Sequence, residues 1–357
     1  MSISEISDIR GKKEFKKISF SEFKKTDVKK ELLNNLKNGN IEQACYWSAE
    51  LICAAHFVDI WDTIIHFMGK FIYLGNPKLP LYIELKIDKF KNIINKGYHD
   101  NLLKLRNNKN IRELFAEIMC VLCLSKKKNQ LESIKIKEED FNVTKISHKL
   151  KADGIQYSQS VFLKEDPKEL FVAINEFIWN ISNNSNNSLE ACYWFEWIMG
   201  FEKACKKNKK VLIAQRRNMP VDNQFQKDII WIIWDCLLLA AVKKNNSISK
   251  IVKSLLNIFC LRYSTACKNK RKYLVYYSIN LITEPLNSNI KIVKNTELVK
   301  KIIDKIDTIY KQIQKSAKKP STDYLFNNSI NKNNNLEKTI SKLDKLSSME
   351  GFIPRNT

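Results

Sequence analysis

The sequence predicts an all-α protein in which two tandem helical pseudo-repeats pack as one body. Three observations support this prediction: turn-forming residues are scarce, apolar residues recur at helical spacing, and a Tyr–Trp motif occurs twice. With 8 Gly and 7 Pro in 357 residues, the chain lacks the turn residues that a β-sandwich, a barrel or a Rossmann sheet needs. Its hydrophobic content of 44% is sufficient for a sizeable core.

The composition changes along the chain and divides it into segments. The predicted segments are a basic N-terminal arm (1–30), a first helical repeat (31–125), a charged connection (126–169), a second helical repeat (170–285) with a basic insertion (203–226), a helical extension (286–315) and a low-complexity tail (316–357). The tail is rich in lysine, asparagine and serine, and we expect it to be disordered.

Within the repeats the apolar spacing is helical. Over 41–57, apolar residues recur three and four positions apart, and Asn40 precedes them as a candidate N-cap. Ser188 precedes the matching run in the second repeat. Both runs are apolar on most faces, which predicts two central helices. The longest apolar run, 229–242, is too short to cross a bilayer and is typical of a core helix.

The duplication is the strongest signal in the sequence. Ala-Cys-Tyr-Trp occurs at 44–47 and again at 191–194, and Ile-Trp-Asp follows at 60–62 and 233–235. The two copies of the first motif and the two copies of the second are separated by different numbers of residues. One repeat must therefore contain insertions, chiefly at 203–226. The residues assigned to the repeat motif are Tyr46, Trp47, Trp61, Asp62, Tyr193, Trp194, Trp234 and Asp235. The alternative is that two unrelated buried helices converged on the same residue types.

The net charge is +23, with 61 basic and 38 acidic residues. Such a charge favours polyanion partners, either nucleic acid or an anionic membrane surface. Lysine supplies 53 of the basic residues and the chain also has 37 Asn. Since both residues have AT-rich codons, a biased genome composition explains the charge equally well.

Two stretches without acidic residues are the candidate phosphate-binding sites, one at 203–217 and one at 262–272. The candidate nucleic-acid-binding residues are Lys206, Lys207, Lys209, Lys210, Arg216, Arg217, Arg262, Lys268, Lys270, Arg271 and Lys272. Tyr263, Tyr273, Tyr276 and Tyr277 are interleaved with the second stretch and would stack on bases if exposed. The alternative is a solvated charge run beside tyrosines that complete the core. Contacts dominated by lysine predict phosphate binding without base readout.

Enzymatic motifs are missing from the sequence. Its four histidines form no HExxH pattern, and neither a Walker A motif nor a GxSxG elbow occurs. Cys53 and His56, with Cys120 and Cys123, have zinc-ligand spacing, but all four fall in apolar helical runs, which favours buried cysteines. We therefore expect no enzyme activity, no metal and no cofactor.

Several strings resemble an uncharacterised protein family of nucleocytoplasmic large DNA viruses, the giant viruses of the mimivirus kind. They are IEQACYWSAELICAAH, WDTIIHFMGKFIYLGNPKLPLYI, LEACYWFEWIMGF and FQKDIIWIIWD. The likeness covers roughly residues 35–285. It implies a viral protein that works in the host cytoplasm, the viral factory or the virus particle, and it brings no catalytic residue with it.

Two functions are consistent with these features. The first is a non-enzymatic binding or scaffold protein that contacts nucleic acid phosphates through the second repeat, in replication, transcription or packaging. The alternative is a structural or assembly protein of the virion or the viral factory that binds another viral protein. The absence of an apolar leader and the nine cysteines in mostly apolar surroundings lead us to expect an intracellular, non-secreted protein.

Overall fold

The computed structural model describes residues 4–130, 132–142, 144–286 and 289–318. The predicted all-α class is confirmed: 65% of the structure is helical, no strand occurs in the described ranges, and the helices pack as one body. One isolated antiparallel bridge joins Ile18 to Lys24. No helix in these ranges has the length and apolar character needed to span a membrane.

Five α-helices make up the first half. They are α1 (Lys25–Asn38), α2 (Ile41–Cys53), α3 (Phe57–Phe67), α4 (Leu79–Asn95) and α5 (Lys109–Leu124). A π-helical turn (Met68–Ile72) and a 3-10 turn (Tyr73–Gly75) join α3 to α4. The first half thus begins at Lys25, six residues before the predicted boundary at residue 31.

The rest of the described chain adds seven α-helices. They are α6 (Gln156–Gln159), α7 (Phe171–Ile181), α8 (Ser188–Lys207), α9 (Ile230–Lys244), α10 (Asn246–Cys260), α11 (Thr265–Thr283) and α12 (Thr296–Gln314). The predicted helical extension corresponds to α12, which packs against α2 and α5. The predicted tail lies outside the described residues except for 316–318.

Asparagine side chains cap several of these helices. Asn108, Asn187 and Asn245 each accept a hydrogen bond from a backbone N–H in the first turn of α5, α8 and α10. The prediction that Ser188 is the N-cap of α8 is therefore wrong by one residue: Ser188 is the first helical residue. Asn40 stands at the N-cap position of α2, although its side chain accepts no hydrogen bond from an N–H of the described chain.

The two halves share a helix order. Helices α1 to α5 and α7 to α11 form two runs of five, with the Ala-Cys-Tyr-Trp motif on the second helix of each. The first two helices pack closely in both runs, α1 on α2 and α7 on α8. However, α9 packs extensively on α10 and α11, and α3 does not pack to the same extent on α4 and α5. The duplication itself stays a prediction.

The halves meet along α4, α10 and α11. Helix α4 packs against α10, and the two turns after α3 pack against α11. The Tyr277 hydroxyl of α11 donates to the backbone carbonyl of Tyr73 at 2.9 Å. Gly69 allows a close approach of the two halves, because a Cβ built at this position would lie 2.5 Å from the Tyr273 ring. This contact fixes the middle of α11 against the first half.

The N-terminal arm and the connection both cover helices. Phe15 and Phe20 of the arm are fully buried, and the Arg10 guanidinium lies 4.8 Å from the centre of each ring. In the connection, the backbone carbonyl of Asp140 accepts a 2.7 Å hydrogen bond from the Trp197 indole of α8. Both segments therefore contribute to the core although they contain little α-helix.

Candidate nucleic-acid interface

The two basic stretches meet in the structure. The C-terminal end of α8 carries the start of the first stretch, and the second stretch leads into α11. Lys268 of α11 joins them, because its Nζ lies 2.6 Å from Glu202 Oε1 and 2.8 Å from Asp228 Oδ1. The side chain of Lys268 is only 6% exposed. It holds the two stretches together but does not face a ligand.

Arg217 is likewise engaged inside the protein. Its guanidinium donates to both carboxylate oxygens of Asp166, at 2.9 and 2.7 Å, and also binds Asp235. The Arg217 side chain is 4% exposed and that of Asp166 is fully buried. Arg217 therefore anchors the basic insertion to the connection, and we remove it from the set that faces solvent.

The carboxylates around Arg217 respond differently to burial. Burial acts to raise the pKa of Asp166, but hydrogen bonds from Arg217 and two backbone amides lower the pKa below its ordinary value. For Asp235 burial dominates, and its pKa is raised despite the same arginine. Burial also raises the pKa of Glu202, against the opposing effect of Lys268. These carboxylates belong to two separate ion-paired clusters, one around Arg217 and one around Lys268.

Two further candidate phosphate-binding residues, Arg271 and Lys272, have partners within the protein. The Arg271 guanidinium donates to the carbonyls of Phe259 and Leu261 at the end of α10, and it lies 3.4 Å from Asp62. Lys272 Nζ lies 2.7 Å from Glu196, in a group that also contains the Ser133 hydroxyl. The sequence gives no sign of these partners because all of them except the end of α10 are remote along the chain.

The remaining candidates are exposed. Three of them have neighbours: Lys207 lies 3.8 Å from Glu138, Lys210 lies 2.5 Å from Glu169, and Arg216 donates to side-chain amides. The exposed candidates with no salt bridge within the described chain are Lys206, Lys209, Arg262 and Lys270. Lys203, on the same turn of α8 as Lys206, shares that environment.

A shallow cleft of about 390 Å³ connects the two stretches. Lys206 and Lys210 line it from the first stretch, Thr265 lines it from the start of α11, and Lys227 adds a further exposed cation. Glu202 and Asp228 form its acidic part, where the single ammonium group of Lys268 contacts both carboxylates. The cleft is thus a basic surface with its carboxylates already paired.

The interleaved tyrosines do not reach this surface. Tyr263, Tyr273, Tyr276 and Tyr277 are all buried, with at most 7% of any side chain exposed. The Tyr263 hydroxyl donates to Asp228 at 2.9 Å, and burial raises its pKa. The expectation that these rings stack on bases is therefore wrong, because they complete the core around α11.

The repeat-motif residues occupy related environments in the two halves. Trp61 and Trp234 are buried, and neither indole N–H has a hydrogen-bond partner among the described residues. The neighbouring carboxylates, Asp62 and Asp235, are each bound by an arginine. The Tyr–Trp pairs differ: Tyr193 and Trp194 are buried, whereas Tyr46 and Trp47 are half-buried and line an open groove of about 500 Å³ beside α12.

The zinc-like spacing does not form a site in the described chain. Cys53, Cys120 and Cys123 are buried among apolar side chains. His56 Nε2 lies 2.8 Å from the Ile18 carbonyl and so contacts the arm. No group of three or more potential metal ligands occurs within the described ranges.

No protein-family model, curated protein or solved structure matches this chain. The resemblance to giant-virus proteins therefore stays a prediction, and the functional argument depends on the residues of this chain.

Proposed function

We propose that this protein binds nucleic acid through its phosphates, without reading sequence, at the surface where the end of α8 meets the start of α11. The observation that carries the proposal is the junction at Lys268, which joins two basic stretches that are far apart along the chain. We define the α8–α11 surface as the exposed cations Lys203, Lys206, Lys209, Lys227 and Arg262.

The chemistry of this surface favours phosphates over bases. Exposed ammonium groups neutralise phosphates and release condensed counterions, which gives affinity with no dependence on sequence. Bidentate base readout depends chiefly on arginine, and Arg262 is the only arginine of the surface. Aromatic stacking is not available from the buried tyrosines. Sequence-independent binding suits a scaffold protein of replication, transcription or packaging in a viral factory or particle.

A salt titration tests the proposal. Filter binding of the full chain to duplex and single-stranded DNA is measured as NaCl rises from about 50 to about 200 mM. With about four phosphate contacts, log K should fall with log[NaCl] at a slope near −3.6 for duplex. The triple variant Lys206→Glu, Lys209→Glu and Arg262→Glu should bind weakly and have a shallower slope.

The matched control changes three exposed lysines elsewhere by the same charge. Lys89→Glu, Lys96→Glu and Lys104→Glu alter α4 and the turns that follow it, which do not contribute to the α8–α11 surface. We expect this variant to bind nearly as the natural chain does. Absence of binding at low salt, or equal losses in both triple variants, would contradict the proposal. Nuclease-resistant association with another viral protein would instead support the structural alternative.

A further inference from the structure

The first turns of α11 form a ridge with a cleft on each side. Thr265 lines the cleft toward α8 described above. Two and five residues further on, Cys267 and Lys270 line a second cleft of about 450 Å³. Its opposite wall comes from α1 and α3 of the first half. The exposed ridge therefore connects the α8–α11 surface to the first half of the molecule.

Two unpaired ammonium groups, one from each half, line this second cleft. Lys30 is on α1 and Lys270 is on α11; both are exposed, and neither forms a salt bridge within the described residues. Lys29 also lines the cleft, but its Nζ lies 2.8 Å from Asp59. Asp59 also binds Lys25, so Lys30 and Lys270 are the two lysines of the cleft that form no salt bridge within the described residues.

The imidazole of His66 also lines the cleft. The His66 ring packs edge-on against Tyr273 and Phe71, with ring centres 5.4 and 5.8 Å away. It makes no hydrogen bond in the described chain. Burial, with Lys70 and Lys37 nearby, lowers the pKa of His66, so the ring is neutral at pH 7. A neutral imidazole retains one N–H, which can donate to a phosphate oxygen.

One carboxylate belongs to the same cleft. Asp62 is 52% exposed and lies 3.4 Å from Arg271, so its charge is balanced by the arginine beside it. Leu33 and Thr63 complete the lining. The cleft is thus lined by two lysines without salt bridges, a neutral hydrogen-bond donor and a paired acid.

We infer that the cleft between α1, α3 and α11 is a second phosphate site, which binds the nucleic acid backbone as it continues from the α8–α11 surface onto the first half. Lys30 and Lys270 contact phosphates of the same strand from opposite sides. This inference rests on the proposed function and adds Lys30, a residue that the sequence places in the N-terminal arm. The ligand class is a phosphodiester chain, and no base is read.

The test uses the full chain and the variants Lys30→Gln, Lys270→Gln and their double. Since each lost phosphate contact changes the duplex salt slope by about 0.9, the double variant should have a slope shallower by about 1.8. Its affinity at 100 mM NaCl should fall by a factor on the order of 60 by the same relation. Lys89→Gln with Lys96→Gln is the matched control and should leave the slope unchanged.

The outcomes separate this inference from the proposed function. If the natural chain does not bind DNA, the proposed function fails and the inference fails with it. If the triple variant of the α8–α11 surface loses binding but the Lys30→Gln and Lys270→Gln variants keep the natural slope, the inference alone is wrong. A loss with Lys270→Gln and none with Lys30→Gln would confine binding to the second half and overturn the inference. Since both side chains are exposed, unchanged far-ultraviolet circular dichroism should show that the fold is kept.

Discussion

At the scale of single residues, neighbouring basic side chains have opposite roles. Arg216 is exposed and donates to side-chain amides, whereas Arg217 is buried between two aspartates. Lys268 is buried between two acids, and Lys270 faces water. The sequence predicts the positive charge of both stretches. It does not predict which cations are consumed inside the protein, because Asp166, Glu202 and Asp228 are brought to them by tertiary packing.

The buried pair of Arg217 and Asp166 yields a stability prediction. Arg217→Met should lower the free energy of unfolding by about 3–5 kcal/mol, because it leaves a fully buried carboxylate without its partner. Arg216→Met, one residue away and exposed, should change it by less than about 0.5 kcal/mol. Urea denaturation followed by circular dichroism measures both. Equal effects of the two substitutions would show that the buried pair does not matter for stability.

The same pair has a defined pH dependence. The pKa of Asp166 in the folded protein is below its ordinary value, so its contribution to stability is present at neutral pH and is lost as pH falls through the folded pKa. Asp235, with a raised pKa, acts in the opposite direction. In Arg217→Met the unpaired Asp166 should prefer its protonated form. The difference in the free energy of unfolding between the natural chain and Arg217→Met should therefore become smaller as the pH falls from 7 to about 3. Urea midpoints measured across that range would show this.

At the scale of secondary-structure elements, apolar spacing predicts where helices form. It does not predict which other segments pack over them. The apolar run at 41–57 and the matching run after Ser188 predict central helices; most of α2 and half of α8 are buried. The connection covers Tyr193 of α8, where Lys149 Nζ lies 4.2 Å from the centre of the tyrosine ring. The connection has no long apolar period, so its role in covering α8 could not be predicted from the sequence.

The contact between Gly69 and α11 yields a prediction about the junction of the halves. Gly69→Ala places a methyl group 2.5 Å from the Tyr273 ring and should lower the free energy of unfolding by about 1–3 kcal/mol through overpacking. Gly11→Ala is the control, since its nearest atom would be 3.7 Å away at an exposed position. Thermal or urea denaturation of both variants would test this. An unchanged Gly69→Ala variant would mean that α11 shifts freely against the first half.

At the scale of the whole molecule, the sequence predicts the helical class and a single body, and the structure confirms both. It also predicts two stretches of positive charge, and these prove to be neighbours. Lys30 of α1 and Lys270 of α11 line the same cleft. The sequence could not predict this, because the two lysines are separated by most of the chain. The sequence also leaves open whether the tyrosines at 263–277 are exposed and stack on bases or are buried in the core. Their spacing is compatible with both arrangements.

The net charge of +23 predicts a salt effect on the folded state. Mutual repulsion among exposed cations opposes the compact state, and salt screens it. The thermal midpoint should therefore rise by a few degrees between about 20 and 200 mM NaCl. The triple glutamate variant of the α8–α11 surface should have a smaller rise. A midpoint that is independent of salt would show that the cations are too far apart to repel one another.

The position of Lys268 between Glu202 and Asp228 restricts how this chain can evolve. A single exposed lysine can be replaced by another polar residue without any compensating change elsewhere in the chain. Loss of Lys268 alone would leave two carboxylates facing each other in a desolvated place, so its replacement requires compensating changes on α8 and before α9. Even in a protein so rich in this amino acid, one lysine is tied to partners that must change together with it.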